Sequence, residues 1–429
     1  MKKNGLDILP FLYQFMMVFG FVSKMRLGPF TSLRLTLLIA LIVIIFKWNE
    51  VISLLKGLNL HKLRMSLFLL FGCLLITLFH SMESHSSLYE YFEPTEVIII
   101  VIGILIVGLW AGVTFKSFER FAWVLVAVGV VQSISVFESA VNPGFKSFIE
   151  EHFLYEGFAD KVSTASLDDL ARSPGIGIAW SSGSLVLAYC CFALVALKIE
   201  SKISMLWFSM LFAIIAGATA LVGRSGLLVE IGLLIFFGLS TGKVKNILTL
   251  LLVAIVGLIV FNQVMSLLDN FVAESTQRWI LAFMDSDKVS HTNEGVLKGG
   301  FPEFSSLFIF GTGVEYGQYN GQAFYADSGY IKSYTSIGIV GMVCYYIGIL
   351  YFIISTFPKH MPRMRKFFLW VAIAAIYIME YKEPFIGMFV YTWVIFVMGL
   401  LWNKEQRTLI NENTNCRGLR PEKQIVTIG

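Results

Sequence analysis

The sequence predicts an all-α fold, a polytopic transmembrane helix bundle of about 10–12 spans with one large and one medium outer loop. Three observations carry this reading. Hydrophobic side chains make up 56% of the 429 residues and charged ones only 14%, whereas soluble domains run at about 25% charged. Mean hydropathy is +0.74. Apolar runs of span length recur along the whole chain and leave no soluble block of domain size, so residues 1–402 are expected to form a single integral membrane domain. The formal net charge of +4 is small, and the basic residues lie in short loops between apolar runs, where they act as topology signals. No nucleic-acid partner is expected.

A bilayer core of about 30 Å takes about 17–25 apolar residues per helix. Runs of this kind lie near 6–23, 31–48, 65–80, 96–115, 121–138, 183–198, 203–222, 226–240, 245–265, 337–357, 367–380 and 384–402. The first follows Lys2 and Lys3 like a signal peptide, but it carries Asp7 and Pro10, lacks a small-residue cleavage site, and is read as a retained helix. The third, eighth and eleventh are short, which sets the range of the count. Two sizeable loops remain, at about 139–182 and 266–336. Residues 403–429 mix Asn, Arg, Pro and Gly without apolar periodicity and are expected to form a flexible tail.

Lys47, Lys56, Lys62, Arg64, Lys116, Arg120, Lys198, Lys202, Arg363, Arg365 and Lys366 then collect on one side with the basic tail. The positive-inside rule makes that side cytoplasmic, with both termini inside and both long loops outside. Lys24, Arg26 and Arg34 run against the bias, which leaves the first hairpin the weakest part of the assignment. Cys73, Cys190, Cys191 and Cys344 lie within apolar runs and Cys416 in the tail, so neither a disulfide framework nor a metal-site spacing is present. The sequence has no phosphate-binding GxxxxGK[ST] loop and no repeat of fixed period, which disfavours a nucleotide-driven pump.

Arginines on the outer side oppose the positive-inside bias and call for a reason. Arg172 stands in Ala-Arg-Ser-Pro-Gly, Arg224 in Gly-Arg-Ser-Gly, and Arg278 in Glu-Ser-Thr-Gln-Arg. A permanently charged planar fork suits a phosphate group at the membrane surface. The plainer alternative is snorkelling or an ion pair such as Glu274 with Arg278 at i,i+4. Residues 295–335 are rich in glycine and aromatics, among them Tyr316, Tyr325 and Tyr330, interleaved with Glu315, Asp327 and amides. Aromatic faces pack against sugar rings while carboxylates and amides bond hydroxyls; the same aromatics could instead bury the loop on the bundle. Asp327 is the leading candidate for a general base, with Glu303, Glu315 and His291 as rivals. Asp285-Ser286-Asp287 is read as solvated surface. Glu230, inside an apolar run beyond Arg224, is expected to face the bundle interior or a wet cavity, as is Gln132, and either could mark a transport pathway.

The order of these features resembles the bacterial O-antigen polymerases (Wzy-type) and the related O-antigen ligases. The resemblance rests on Arg172-Ser-Pro-Gly, Gly-Arg-Ser-Gly at 223–226, Gly-x-Gly at 311–313, Ala-Asp-Ser-Gly-Tyr-Ile at 326–331 and Gly-Ile-Val-Gly at 338–341. It implies a multi-pass protein of the bacterial inner membrane that transfers an undecaprenyl-pyrophosphate-linked glycan repeat onto another such repeat at the outer face. Undecaprenyl pyrophosphate is then the leaving group. By that likeness Arg172, Arg224 and Arg278 hold the pyrophosphate and stabilise its developing charge without a metal or other cofactor. Asp327 would orient or deprotonate the acceptor hydroxyl, with Arg278 also acting in the transition state. Glu315, Tyr316, Tyr325 and Tyr330 would contact the glycan. The expected partners are the lipid-linked glycan, membrane lipid, a chain-length regulator and a flippase. Ligases usually carry histidine where Asp327 stands, followed by Asn, so the departure favours polymerase over ligase. A twelve-helix transporter or flippase, with Glu230 as its site, is the alternative of another class.

Overall fold

Small polar residues at the edges of the apolar runs decide where several helices begin. The side chains of Thr31, Ser117, Asn142 and Ser204 each accept a hydrogen bond from the backbone N–H three residues on, and Pro143 occupies the first turn after Asn142. The apolar runs then propagate as helices, because in lipid every backbone group must find its partner within the segment. The computed structural model describes residues 8–23, 25–27, 30–83, 94–154, 173–241, 309–313, 317–319, 322–324, 328–358, 361–382, 384–386 and 389–418.

Thirteen helices are described: α1 (Ile8–Val22), α2 (Ser32–Phe46), α3 (Trp48–Leu55), α4 (Leu60–Glu83), α5 (Pro94–Thr114), α6 (Phe118–Val141), α7 (Pro143–His152), α8 (Trp180–Ile199), α9 (Met205–Val222), α10 (Arg224–Thr241), α11 (Gly329–Ile354), α12 (Arg363–Met379) and α13 (Phe389–Gly418). Strand is confined, among the described residues, to two small antiparallel hairpins. β1 (Arg26–Leu27) pairs with β2 (Phe30–Thr31), and β3 (Gly317–Tyr319) with β4 (Gln322–Phe324). The chain is therefore an all-α polytopic helical bundle. Within α4, α6, α8, α9 and α11 lie segments long and apolar enough to cross a membrane, and α2 with α3 makes a bent pair that passes the same test. Every run expected from the sequence coincides with a helix except 245–265, which lies outside the described residues. Phe68, Phe71, Leu206, Ile235, Leu239 and Ile378 are large, apolar and exposed on their helices, as lipid-facing side chains are.

Helix α8 forms the axis of one half, enclosed by α6, α9 and α10. Its segment Ser182–Ile199 is 83% buried, which explains why it is apolar all round rather than striped. In the other half α4 lies along α11 and α5 along α13. Trp110, Phe21, Phe121 and Trp393 interlock edge to face where the two halves meet.

Three local features differ from expectation. The medium loop contains a helix, α7, closed at its start by Asn142 and Pro143. The expected span at 337–357 begins earlier, at Gly329, and is broken at Gly338, whose φ of 68° and ψ of −176° interrupt the helix. The expected flexible tail is helical through Gly418, and only the residues after it lie outside the description. Its first residues have long-range partners: Asn403 Nδ2 donates to the carbonyls of Gly57 and Thr356, and Lys404 Nζ to those of Gly112 and Phe115. Glu405 Oε1 accepts from Phe118 N at the start of α6. A cation, Lys404, meets the C-terminus of α5 and a carboxylate, Glu405, meets the N-terminus of α6, the favourable sense for each dipole.

Candidate functional site

The end of the bundle opposite this clasp gathers the described parts of the motifs singled out from the sequence. Arg172, Arg278, Glu315, Tyr316, Tyr325 and Asp327 lie outside the described residues, as does the side chain of Arg224, whose backbone opens α10. The immediate neighbours of Arg172, Arg224 and Asp327 are described and tie those motifs together, whereas Arg278 lies within residues 242–308, all outside the description. Ser173 N, next to Arg172, donates to Leu221 O at 3.1 Å. Leu221 lies in the last turn of α9, directly before the Gly-Arg-Ser-Gly turn. The strap 173–178 closes on itself through a bridge between Gly175 and Ile178. Gln132 Nε2, buried in α6, anchors it by donating to Ile176 O and to Ser23 Oγ, both at 2.8 Å. The expectation of a buried position for Gln132 holds, and its role here is to pin the strap.

Gly226 N donates to Ser184 Oγ at 3.0 Å, which fixes α10 against α8. A Cβ at Gly226 would collide with the Ser184 carbonyl, so this turn requires glycine for close backbone approach. Lys382, just beyond α12, completes the arrangement: its Nζ donates to Ser225 Oγ at 2.8 Å.

The broken helix α11 brings in the remaining motifs. Gly311 (φ 86°) and Gly338 (φ 68°) both occupy the left-handed region, and each lies where a Cβ of the other would clash. The loop 311–313 thus runs through the break. Thr312 N donates to Thr335 O at 2.8 Å and Gly313 N to Ser336 O at 2.9 Å, supplying partners for carbonyls at the interruption. His80 Nε2, 2.7 Å from Phe310 O, must carry the proton on that nitrogen and holds the loop to α4.

Glu380 is the hub beneath this segment. Fully buried, it accepts from Tyr346 Oη at 2.8 Å through Oε1 and from Ile386 N at 2.7 Å through Oε2. Its backbone carbonyl accepts from Gly329 N at 2.9 Å, and Tyr346 Oη lies 2.9 Å from Ser333 Oγ. The start of α11, which directly follows Asp327 and Ser328, is thereby locked to the end of α12. Tyr330 donates its hydroxyl to Tyr377 O at 2.6 Å and packs its ring 5.0 Å from that of Tyr346, so its polar end is engaged within the bundle.

The hydroxyls of Ser173 and Ser328, neighbours in sequence of Arg172 and Asp327, are both buried and find no partner among the described residues. Orphaned polar groups of this kind call for a water or a ligand. No group of three His, Cys, Asp or Glu among the described residues is placed to hold a metal. Glu380, Lys382 and Tyr346 escaped the sequence reading. The available signal was the charged stretch Glu380-Tyr-Lys-Glu-Pro between two apolar runs, which is more polar than a simple turn requires. Neither a family model, nor a curated protein, nor a solved structure matches this chain.

Proposed function

We propose that this chain is a polysaccharide polymerase of the O-antigen type, joining undecaprenyl-pyrophosphate-linked oligosaccharide repeats at the outer face of the bacterial inner membrane. The observation that supports it most is the convergence at one end of the bundle: the Ser173–Leu221 and Lys382–Ser225 bonds draw the Arg172 and Arg224 segments and a lysine together. Ser328, which follows Asp327 in sequence, opens α11 at the same end of the bundle.

In the proposed reaction an acceptor sugar hydroxyl attacks the anomeric carbon of the donor repeat. The bond from that carbon to the pyrophosphate oxygen breaks, and its electron pair leaves with undecaprenyl pyrophosphate. Arg172, Arg224 and Arg278, joined by Lys382, offset the charge that grows on the leaving group. Asp327 takes the hydroxyl proton. Glu380 is a positioning residue, holding the chain that follows Asp327. Purified full-length protein in proteoliposomes should release one undecaprenyl pyrophosphate for each glycosidic bond formed from lipid-linked repeats. Chain growth without that release would refute the reaction.

A second reading, a transporter or flippase for lipid-linked glycans, draws on Glu230. This carboxyl is buried between α8, α9 and α10; Oε1 accepts from Thr219 Oγ1 at 2.8 Å and from Cys191 Sγ at 3.4 Å, while Oε2 has no donor among the described residues. Polar groups so placed in transporters mark substrate or ion sites.

A further inference from the structure

The opposite end of the bundle holds a cavity that the proposed transfer does not use. It has a volume of about 270 Å³ and lies between α3, α5 and α13, lined by Glu50, Ser53, Leu54, Lys404, Arg407 and Thr408. Its two cations are held by carbonyls with donors to spare. Lys404 Nζ donates to Gly112 O at 2.7 Å and to Phe115 O at 3.0 Å, which leaves one of its three donors. Arg407 Nη1 donates to Ser53 O at 3.0 Å, and its Nε is buried with no acceptor among the described residues. Burial works against both charges, lowering the pKa of Lys404 and that of Arg407. The cavity's carboxylate, Glu50, is paired with Lys47 at 3.3 Å and also acts on Lys404, where its charge opposes the effect of burial. Thr408 Oγ1 donates to Lys404 O at 3.1 Å; the two partly desolvated cations and the Ser53 hydroxyl make a site for a tetrahedral oxyanion.

The depth of the cavity indicates where that anion comes from. Helices α2 and α3 meet at a bend of 92°, so α3 runs across the direction of the span. Its buried residues are Val51 and Leu54, while Trp48 at its start is exposed beside Lys47 and beyond the exposed Phe46. A helix of this kind, opened by Trp and flanked by Lys and Glu, lies at the boundary between acyl chains and headgroups. The cavity opens between this helix and α13, at headgroup level.

We propose that the cavity binds a phosphate group, supplied by the headgroup of a membrane phospholipid, which joins α3, α5 and α13 at this end of the bundle. The phosphate oxygens accept from Lys404, the Arg407 guanidinium and the Ser53 hydroxyl, and the acyl chains run along the exposed apolar side of α2.

Native mass spectrometry of the full-length protein, washed in delipidating detergent, tests this. The wild type should retain a phospholipid that Lys404→Ala loses. Because Lys404 also ties α13 to α5, the second variant is Thr408→Glu, which adds a carboxylate at an exposed edge of the cavity and keeps both cations on their carbonyls. Phospholipid occupancy should fall about tenfold in each. Lipid-stripped protein titrated with sodium phosphate separates the sources: an inorganic phosphate adduct, absent in Thr408→Glu, on a wild type that retains no lipid would overturn the headgroup as the occupant while upholding the phosphate site. Equal occupancy in wild type and both variants would overturn the site.

Discussion

Lys382 Nζ donates to Ser225 Oγ at 2.8 Å, across 157 residues of sequence. This bond puts a lysine from the end of α12 beside the Gly-Arg-Ser-Gly turn, where the proposed reaction needs positive charge. Removing one such group from a developing oxyanion typically costs about 10²–10³-fold in rate. Lys382→Ala should therefore lower polymerisation by about that factor, and Lys382→Arg should restore part of it. Turnover of lipid-linked repeats in proteoliposomes gives the comparison; equal rates for all three proteins would remove Lys382 from the site.

Glu380 and Tyr346 should matter for stability as well as for positioning. Tyr346→Phe keeps the ring but leaves Glu380 Oε1 and Ser333 Oγ without the bonds they now share with the tyrosine hydroxyl. A loss of about 1–3 kcal/mol is expected for buried groups left in this way. Thermal unfolding of the purified protein in detergent should show a lowered midpoint for Tyr346→Phe and for Glu380→Gln. Unchanged midpoints would mean that water replaces the hub.

The break in α11 depends on two glycines. Ala at Gly338 or at Gly311 must adopt a left-handed backbone and place its methyl group against the other's main chain. Each substitution should sharply reduce the yield of folded protein. Ala at Gly232, which has open space around its α-carbon, should leave the yield intact. Size-exclusion profiles of the three proteins decide it, and a monodisperse Gly338→Ala would argue for a continuous helix.

At the clasp end, Arg365 bridges Glu200 at 2.8 Å and Glu405 at 3.5 Å, and Trp402 Nε1 also donates to Glu200 Oε1. Arg365→Ala leaves two partly buried carboxylates without their shared cation and should cost about 1.5–3 kcal/mol. Burial, aided by the nearby Glu405 carboxylate, raises the pKa of Glu200 more than Arg365, the Trp402 hydrogen bond and Lys202 lower it. The folded state then holds the Glu200 proton more tightly than the unfolded chain, so this group's contribution to stability is largest in acid and declines as pH rises through the raised value. A melting series against pH for wild type and Glu200→Gln should show the variant lacking that decline.

The positions of most spans were legible because an apolar run in a membrane has one outcome, a helix, whatever its neighbours. What was not legible is tertiary. Nothing near Asn403 or Lys404 announces partners some 290–350 residues earlier in the chain, so a polar, aperiodic stretch reads as a flexible tail although it is helical through Gly418. The break at Gly338 looks in sequence like an ordinary glycine of an apolar run; only the backbone of Gly311 passing through it shows why glycine stands there. Among the candidate residues the arginines could be noticed from their charge alone, since basic residues on the expected outer side run against the positive-inside bias. Lys382 and Glu380 were masked by a short charged stretch that reads as a turn, because their significance comes from Ser225 and Tyr346, which are remote in sequence.

Glu230 separates the two functional readings. If the chain transports a substrate, Glu230→Gln should abolish function while Arg172→Ala is tolerated. Under the polymerase reading, Arg172→Ala and Arg224→Ala should abolish long polymer at normal protein levels, and Glu230→Gln should leave chain length close to wild type.

The most direct test of the central claim is the surface-polysaccharide ladder, resolved on a gel, from cells lacking this chain, with and without a wild-type copy. The polymerase account predicts lipid cores capped by a single repeat, with the full ladder restored by the copy. Bare cores with accumulated lipid-linked polymer would point to a ligase, bare cores with unpolymerised repeats held inside to a flippase, and an unchanged ladder would contradict the O-antigen account altogether.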